Sequence, residues 1–324
     1  MREPTADMPA RSRAAQFESF DGLSALTVKD VPVPRAGAGQ IRVKVAAAGL
    51  NPMDWFMTSD AETAKRFGLR LPCGFGTDYA GVVDEVGEGV TSFAVGDRVF
   101  GGALSRAVAD YVLVQEGGSI TAGGDAHRTP DGLDDRTAAA LTIAGCTAAA
   151  ALAVVAPEPG DTVLIGGAGG GVGVFAVQLA LLAGARVIGT GSASSADALR
   201  ALGAEPVVYG DGLVERVRAM APEGVTAAMD LHGTETGWAA RELGVPDRRI
   251  TTIATQIEGI TPANGARAAA GAIEEIAGLV AQGRIRVPIA ATFPIEQVRD
   301  AVELQAGRHV HGKVVIDLSA EEPH

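Results

Sequence analysis

The chain has 324 residues, 47% of them apolar, with 43 glycines and only 4% aromatics. That length predicts two domains, and the apolar content excludes a long disordered chain. Lys and Arg total 27 against 39 Asp and Glu, a net charge of −12, which argues against nucleic acid as the main partner because phosphate backbones need a basic face. Two cysteines, Cys73 and Cys146, are too few for a disulfide framework or a four-cysteine zinc site. The polar N-terminus MREPTADMPARSR lacks the apolar core of a secretion signal, so a reduced cytoplasmic setting is expected.

Residues 13–20, 25–33 and 40–47 alternate as strands do, punctuated by Pro32, Pro34, Gly37 and Gly39. Gly49 to Trp55 reads as a loop and short helix, followed by a polar loop from Thr58 to about Arg70. Residues 76–90, 94–102 and 109–114 are further strand segments broken by glycine turns, and 117–135 is the longest expected loop. Many short strands without intervening helices predict a compact β-rich unit. An Ala-rich helix is expected over 137–156 and a turn over Pro157–Asp161. Strands then fall at 161–165, 186–190, 206–209, 227–231 and 249–254, with helices at 173–183 and 195–202. Alternation of this kind predicts a doubly wound parallel sheet. From about Ile289 the chain returns to strand and turn character. The uncharged runs 138–156 and 162–185 are long enough to raise a membrane span. The first is mostly Ala, with little apolar area per residue, and the second reads better as a buried strand, turn and helix, so no membrane contact is expected.

Six glycines lie between Gly166 and Gly173, after the strand TVLI and before an apolar helix. Gly167, Gly170 and Gly173 fit GxxGxxG; Ala168 breaks the stricter GxGxxG. The first glycine permits a tight turn, the middle one admits a pyrophosphate, and the last lets the helix pack on the strand, whose amino end favours phosphate. This predicts a dinucleotide site. The acid that would hold an adenosine 2′-hydroxyl at the end of the second strand is missing: Thr190 is followed by Gly191, Ser192, Ala193, Ser194 and Ser195, and no carboxylate comes before Asp197. Hydroxyls without a carboxylate favour NADPH over NADH; ordinary N-capping is the other use of these serines.

Six ordered stretches, AAAGLNPMDW (46–55), GTDYAGVVDEVGEGV (76–90), VGDRVFGG (95–102), AAALTIAGCTAAAAL (138–152), VLIGGAGGGVGVFAVQLA (163–180) and HGKVVIDL (311–318), resemble the medium-chain dehydrogenase/reductase superfamily. The resemblance is nearest to its zinc-independent quinone oxidoreductase branch, related to zeta-crystallin. It implies an α/β fold in which a Rossmann doubly wound sheet is inserted in a GroES-like β-rich catalytic domain. The expected limits are 1–137 and 287–324 for the catalytic domain and 138–286 for the cofactor domain. By the same resemblance Asn51 approaches the nicotinamide ribose and Thr147 the nicotinamide. Gly170, Gly171 and Val172 form the pyrophosphate turn, Ser192 lies in the 2′-phosphate loop, and Tyr209 lies near the adenosine. Ala254, at the end of the strand expected over 249–254, joins the cofactor contacts, and Lys313 of the terminal GK lines the cofactor or makes a salt bridge on its strand. The family pairs as dimers, so a homodimer is expected.

Zinc members of the superfamily carry a Cys and a His where this chain has Leu50 and Thr77, and the structural-zinc cysteines are also missing, so no metal is expected. Relatives carry Tyr or Lys where Phe56 stands and a basic residue where Ala196 stands; segment 256–264 reads as shortened. Tyr79 is either a proton donor or a packed residue, Asp54 and Asp78 read as structural acids, and Cys146 as a small apolar residue. His309 and His311, two apart on a strand, would face one side but lack a third ligand. The expected catalytic set is Asn51, Thr147 and Tyr79. The expected activity is hydride transfer from NADPH to a quinone-like or conjugated carbonyl small molecule. C=C reduction of an enone, enal or enoyl thioester is the second enzymatic reading, and an NADPH-binding redox sensor with little catalysis is the third.

Overall fold

The structure, a computed structural model, describes residues 10–307 and 310–319. Two compact units divide the chain: Met1–Ala140 with Ala291–Arg308 and Val314–His324, and Leu141–Ala290 with His309–Lys313. The second unit is thus inserted in the sequence of the first.

The first unit is built on antiparallel strands. Gln40–Gly49 is its organising strand, paired with Asp78–Val86, Tyr111–Gln115 and Lys313–Asp317. Its sequence alternates Ile41, Val43 and Val45 inward, all buried. Beyond Asp78–Val86 the sheet continues through Arg98–Gly102 to His127–Arg128. A smaller sheet orders Leu26–Pro32, Arg11–Phe17 and Cys73–Gly74. Gly49 ends the organising strand where a Cβ would stand 2.1 Å from the Ala139 carbonyl oxygen, so only glycine fits.

Two helices of this unit depart from the sequence reading. The polar stretch expected as loop contains the helix Ala61–Arg66, because Asp60 caps it, accepting from the Glu62 and Thr63 N–H groups at 3.1 and 3.0 Å. The tail contains the helix Val298–Ala306, which buries Val298, Ala301 and Val302, an i, i+3, i+4 stripe. The single Ala-rich helix expected over 137–156 is instead two, Asp135–Ala138 and Thr142–Val155. Nothing in the alanine run punctuates it; the break lies where the Ala139 carbonyl backs onto Gly49.

The second unit is a six-stranded sheet, parallel throughout, in the order Glu205–Val208, Arg186–Gly191, Thr162–Gly166, Ala227–Asp230, Ile250–Thr252, Thr261–Pro262. Numbered along this unit the order is 3-2-1-4-5-6, the Rossmann arrangement, whose reversal between Thr162–Gly166 and Ala227–Asp230 opens a crevice at the strands' carboxyl ends. The helix Gly173–Leu182 is apolar all round, as a helix sealed in a core must be. Its one buried amide, Gln178, is satisfied by the Val174 and Arg286 carbonyls and the Arg286 N–H. The helix Thr142–Val155 ends at Ala156, a non-glycine residue in the left-handed region at φ 43°. Among the described residues no helix is long and apolar enough to cross a membrane; the uncharged run 138–156 is divided between two helices and the run 162–185 into strand, turn and helix.

Candidate functional site

The glycine turn follows the strand Thr162–Gly166. Gly167 takes φ 68°, which other residues adopt only with strain. A Cβ at Gly173 would lie 2.2 Å from the Gly167 carbonyl oxygen and 2.5 Å from that of Ala168, so the helix can start here only on glycine. The middle of the turn is open by contrast. A Cβ at Gly170 would meet only the Gly167 oxygen, at 3.3 Å, and one at Gly171 the Lys313 Cδ at 3.2 Å and the Gly312 oxygen at 3.9 Å. The N–H groups of Gly171, Val172 and Gly173 donate to no acceptor among the described residues. Free first-turn N–H groups over an open glycine backbone fit a pyrophosphate, so these residues suit a dinucleotide. The Thr190 hydroxyl accepts from the Gly167 N–H at 3.3 Å and ties the second strand to the turn.

The serine loop begins one residue past the strand Arg186–Gly191. Ser192 and Ser194 pair hydroxyl to hydroxyl at 2.9 Å. Ser195 is buried and its hydroxyl donates to the Ser192 carbonyl at 2.7 Å; neither Ser192 nor Ser195 caps the following helical turn with its side chain, so the capping use is not made. Arg200, the nearest base, holds the exposed Asp197 at 2.7 Å. Tyr209 donates its N–H to the Gly191 carbonyl at 3.2 Å and leaves its side chain half exposed. Ala254 is exposed just past the strand Ile250–Thr252 and offers only backbone polarity.

Thr147, on the helix Thr142–Val155, donates its hydroxyl to the Ile143 carbonyl at 2.6 Å. With its proton so committed, the oxygen can serve a further group only as an acceptor. Gly265 packs on it: a Cβ there would lie 2.9 Å from Thr147 Oγ1. The turn is closed by Asn264, whose side chain accepts from the Ala266 N–H at 2.9 Å. Lys313 is buried, donates its N–H to the Pro288 carbonyl at 2.9 Å and lays its stem beside Gly171.

In the other unit Asn51 precedes the helix Pro52–Phe56. Its N–H donates to Asp54 Oδ2 at 2.8 Å and its Nδ2 to Asp78 Oδ2 at 3.0 Å. Thr77 Oγ1 donates to Asp54 Oδ1 at 2.6 Å. All four side chains are buried; Asp54 holds the Asn51 backbone N–H and Asp78 orients its side-chain amide. Gln305 braces the same loop from the helix Val298–Ala306, donating to the Leu50 carbonyl at 2.8 Å and accepting from Trp55 Nε1 at 3.1 Å. Tyr79 is fully buried and donates its hydroxyl to the Asp125 carbonyl at 2.7 Å; burial, then the Asp125 charge, pushes its phenol well above the usual range.

The structure thus groups Asn51 with Asp54, Thr77 and Asp78, and the glycine turn with Thr190 and Lys313, while Tyr79 points into a packed contact. Sequence reasoning missed Gln305, Gly265 and Asp230. Asp230 is buried at the end of its strand and gathers the N–H groups of His232, Gly233 and Gly237 at 3.2, 2.8 and 3.1 Å. An Asp three residues before a glycine at a strand end was the available signal for it. Cys73 is buried, and burial pushes its thiol up; Cys146 is half-buried. His309 lies outside the described residues, and His311 is exposed. Leu50 and Thr77 are buried, Thr77 in its bond to Asp54, and no group of three His, Cys, Asp or Glu converges among the described residues. These donors do not fit a zinc ion.

A doubly wound dinucleotide-type unit set within the sequence of an antiparallel β unit defines the class by its architecture. Residues 37–133 match the alcohol dehydrogenase GroES-like domain, and residues 138–316, more than half of the chain, match the zinc-binding dehydrogenase family. The chain belongs to that family, within the medium-chain dehydrogenase/reductase superfamily and its quinone oxidoreductase branch. A quinone oxidoreductase of Sus scrofa is 38% identical over 180 residues, 55% of this chain and 52% of that protein. The chain spans about half the length of the curated relatives it matches. The solved quinone oxidoreductase of Coxiella burnetii gives a TM-score of 0.84 at 29% identity, covering 95% of this chain and 99% of its own. The CurK enoyl reductase gives 0.82 at 25% identity, covering 94% and 99%.

Proposed function

We propose that the chain is an NADPH-dependent oxidoreductase, working without zinc, that passes hydride to a quinone-like or conjugated carbonyl small molecule. The observation that carries this reading is the glycine turn, open at Gly170 and Gly171 with three N–H groups lacking an acceptor among the described residues. A bound nicotinamide dinucleotide supplies the hydride. The chain's own residues bind and orient. Gly167, Gly170, Gly171, Val172 and Gly173 cradle pyrophosphate, with Thr190 fixing the turn and the Lys313 stem walling it. Ser192 and Ser194 offer hydroxyls to a 2′-phosphate where no carboxylate repels it, Tyr209 serves the adenosine, and Ala254 contributes backbone. Thr147, its proton committed to Ile143, accepts from the carboxamide N–H. Asn51, aimed by Asp78, serves the nicotinamide ribose.

A quinone takes its proton from solvent, so this chemistry needs no strong side-chain acid. Tyr79, engaged with Asp125 and hard to ionise, suits that reading better than C=C reduction, where an acid at the α-carbon helps. The likeness to an enoyl reductase keeps C=C reduction as the second reading. The proposal includes a reducing cytoplasmic setting, in line with two cysteines that form no disulfide, and a homodimer.

The test is absorbance at 340 nm with NADPH or NADH and a panel of ortho- and para-quinones and enones. Faster turnover with NADPH on quinones supports the proposal. Preference for enones moves it to the second reading, equal use of both cofactors removes the NADPH assignment, and tight binding without turnover indicates a sensor. Asn51→Ala and Thr147→Val are each expected to lower turnover about tenfold or more while leaving the far-UV circular dichroism unchanged.

A further inference from the structure

The loop Tyr209–Gly212 leaves the strand Glu205–Val208 at its carboxyl end and enters the helix Leu213–Met220. Arg216, one turn into that helix, reaches back around the loop. Its Nε donates to the Val208 carbonyl at 3.1 Å. Its Nη2 donates to the carbonyls of Val208, Tyr209 and Gly210 at 2.9, 3.3 and 2.9 Å, and its Nη1 to that of Asp211 at 2.7 Å. Four successive carbonyls thus converge on one cation. Gly212 makes this possible: it takes φ 78°, and a Cβ there would stand 3.0 Å from Arg216 Nη1. The loop is held from its other side as well, with the Tyr209 N–H on the Gly191 carbonyl at 3.2 Å and the Gly210 N–H on Glu235 Oε1 at 2.6 Å.

This tightly hydrogen-bonded backbone carries the Tyr209 ring. The Tyr209 side chain is half exposed and stacks on no other aromatic among the described residues. It stands beside the serine loop, because Gly191, its backbone partner, immediately precedes Ser192. A flat apolar ring whose backbone is already ordered loses little further entropy when it receives a planar ligand group.

We infer that Arg216 is a positioning residue for the adenosine end of the site: its clamp on the 208–211 carbonyls fixes the Tyr209 ring as the platform on which an adenine stacks. The inference rests on the dinucleotide reading of the glycine turn. It requires arginine, since only the planar fork reaches several carbonyls at once; lysine brings the same charge to one or two.

The experiment measures dissociation constants of the full chain for NADPH, for 2′-phospho-AMP and for reduced nicotinamide mononucleotide, by calorimetry or fluorescence. The wild type is compared with Arg216→Ala, Arg216→Lys, Tyr209→Ala and the Arg216→Ala/Tyr209→Ala double variant. Arg216→Ala is expected to weaken NADPH and 2′-phospho-AMP about five- to tenfold and to leave the nicotinamide half unchanged. Arg216→Lys restores little of this, and Arg216→Ala adds less than about twofold in the Tyr209→Ala background. Adenosine-half affinity within about twofold of wild type in Arg216→Ala overturns the inference, as does an equal loss on both halves. If Arg216→Ala does not fold, Arg216→Lys decides: wild-type affinity for 2′-phospho-AMP overturns the clamp. A wild type that binds no dinucleotide overturns the cofactor reading and this inference together, whereas a wild type that binds alongside an indifferent Arg216→Ala overturns the inference alone.

Discussion

At the scale of single residues, the glycines of the turn have unequal duties, and substitution separates them. Gly170→Ala places its methyl 3.3 Å from one carbonyl oxygen in an otherwise open space, at a backbone conformation that alanine accepts. It is expected to fold normally and to weaken dinucleotide binding, because the methyl stands where phosphate approaches. Gly173→Ala drives its methyl into two backbone carbonyls and is expected to lose about 1–3 kcal/mol of stability despite the better helix propensity of alanine. Urea denaturation paired with an NADPH titration checks both. The glycine turn could be located from its spacing after an apolar strand, and Asn51 only through the resemblance of residues 46–55. Asp78 was readable as a structural acid, but its partner was not, and Gln305 was not read at all. Asp78 reaches Asn51 across 27 positions and Gln305 reaches Leu50 across 255, and no local pattern encodes such meetings.

At the scale of elements, the Rossmann sheet is tied at its amino ends by an ion pair. Asp161 accepts from Arg249 at 2.6 Å, both side chains being largely buried. Burial raises the Asp161 pKa, but hydrogen bonds from the Glu158 N–H, Thr226 and Arg249, with the Arg249 charge, outweigh it and hold the carboxyl below the usual carboxylate range. A depressed folded pKa stabilises above the unfolded value, near 4, and that contribution disappears as pH falls through the lower folded value. The thermal midpoint of this unit is expected to drop below about pH 4, and Asp161→Asn to cost about 1–3 kcal/mol at pH 7 and progressively less in acid. Calorimetry from pH 7 to pH 3 measures this. The alternating strands and helices here were readable from periodicity. The helix Ala61–Arg66 was hidden by its polar composition, although Asp60 and Thr63 carried its cap in plain sight. The break after Ala138 has no mark in the alanine run; the Ala139 carbonyl there lies against Gly49, ninety positions earlier.

For the whole molecule, any ligand of the folded chain stabilises it by mass action. At one hundred times its dissociation constant, NADPH is expected to add about 2.7 kcal/mol, and NADH less at equal concentration. A thermal shift series with both nucleotides reads this without any substrate, and equal shifts would count against the 2′-phosphate assignment. The acidic charge of the chain sits easily beside such a ligand, since backbone N–H groups and hydroxyls can hold phosphate locally. The nested order of the two units was legible only through the ordered motifs, because composition alone does not distinguish insertion from tandem arrangement.

Ala156 closes the helix that carries Thr147, in a conformation that glycine adopts freely and alanine does not. The position therefore offers a reserve of stability at the end of that helix, nine positions past Thr147. Ala156→Gly is expected to raise stability by about 0.5–1 kcal/mol, visible as a higher urea midpoint at unchanged slope. Such a background would serve as a chassis for assays: variants too fragile to purify alone, Gly173→Ala first among them, could be carried on it, and their binding defects read apart from their folding defects.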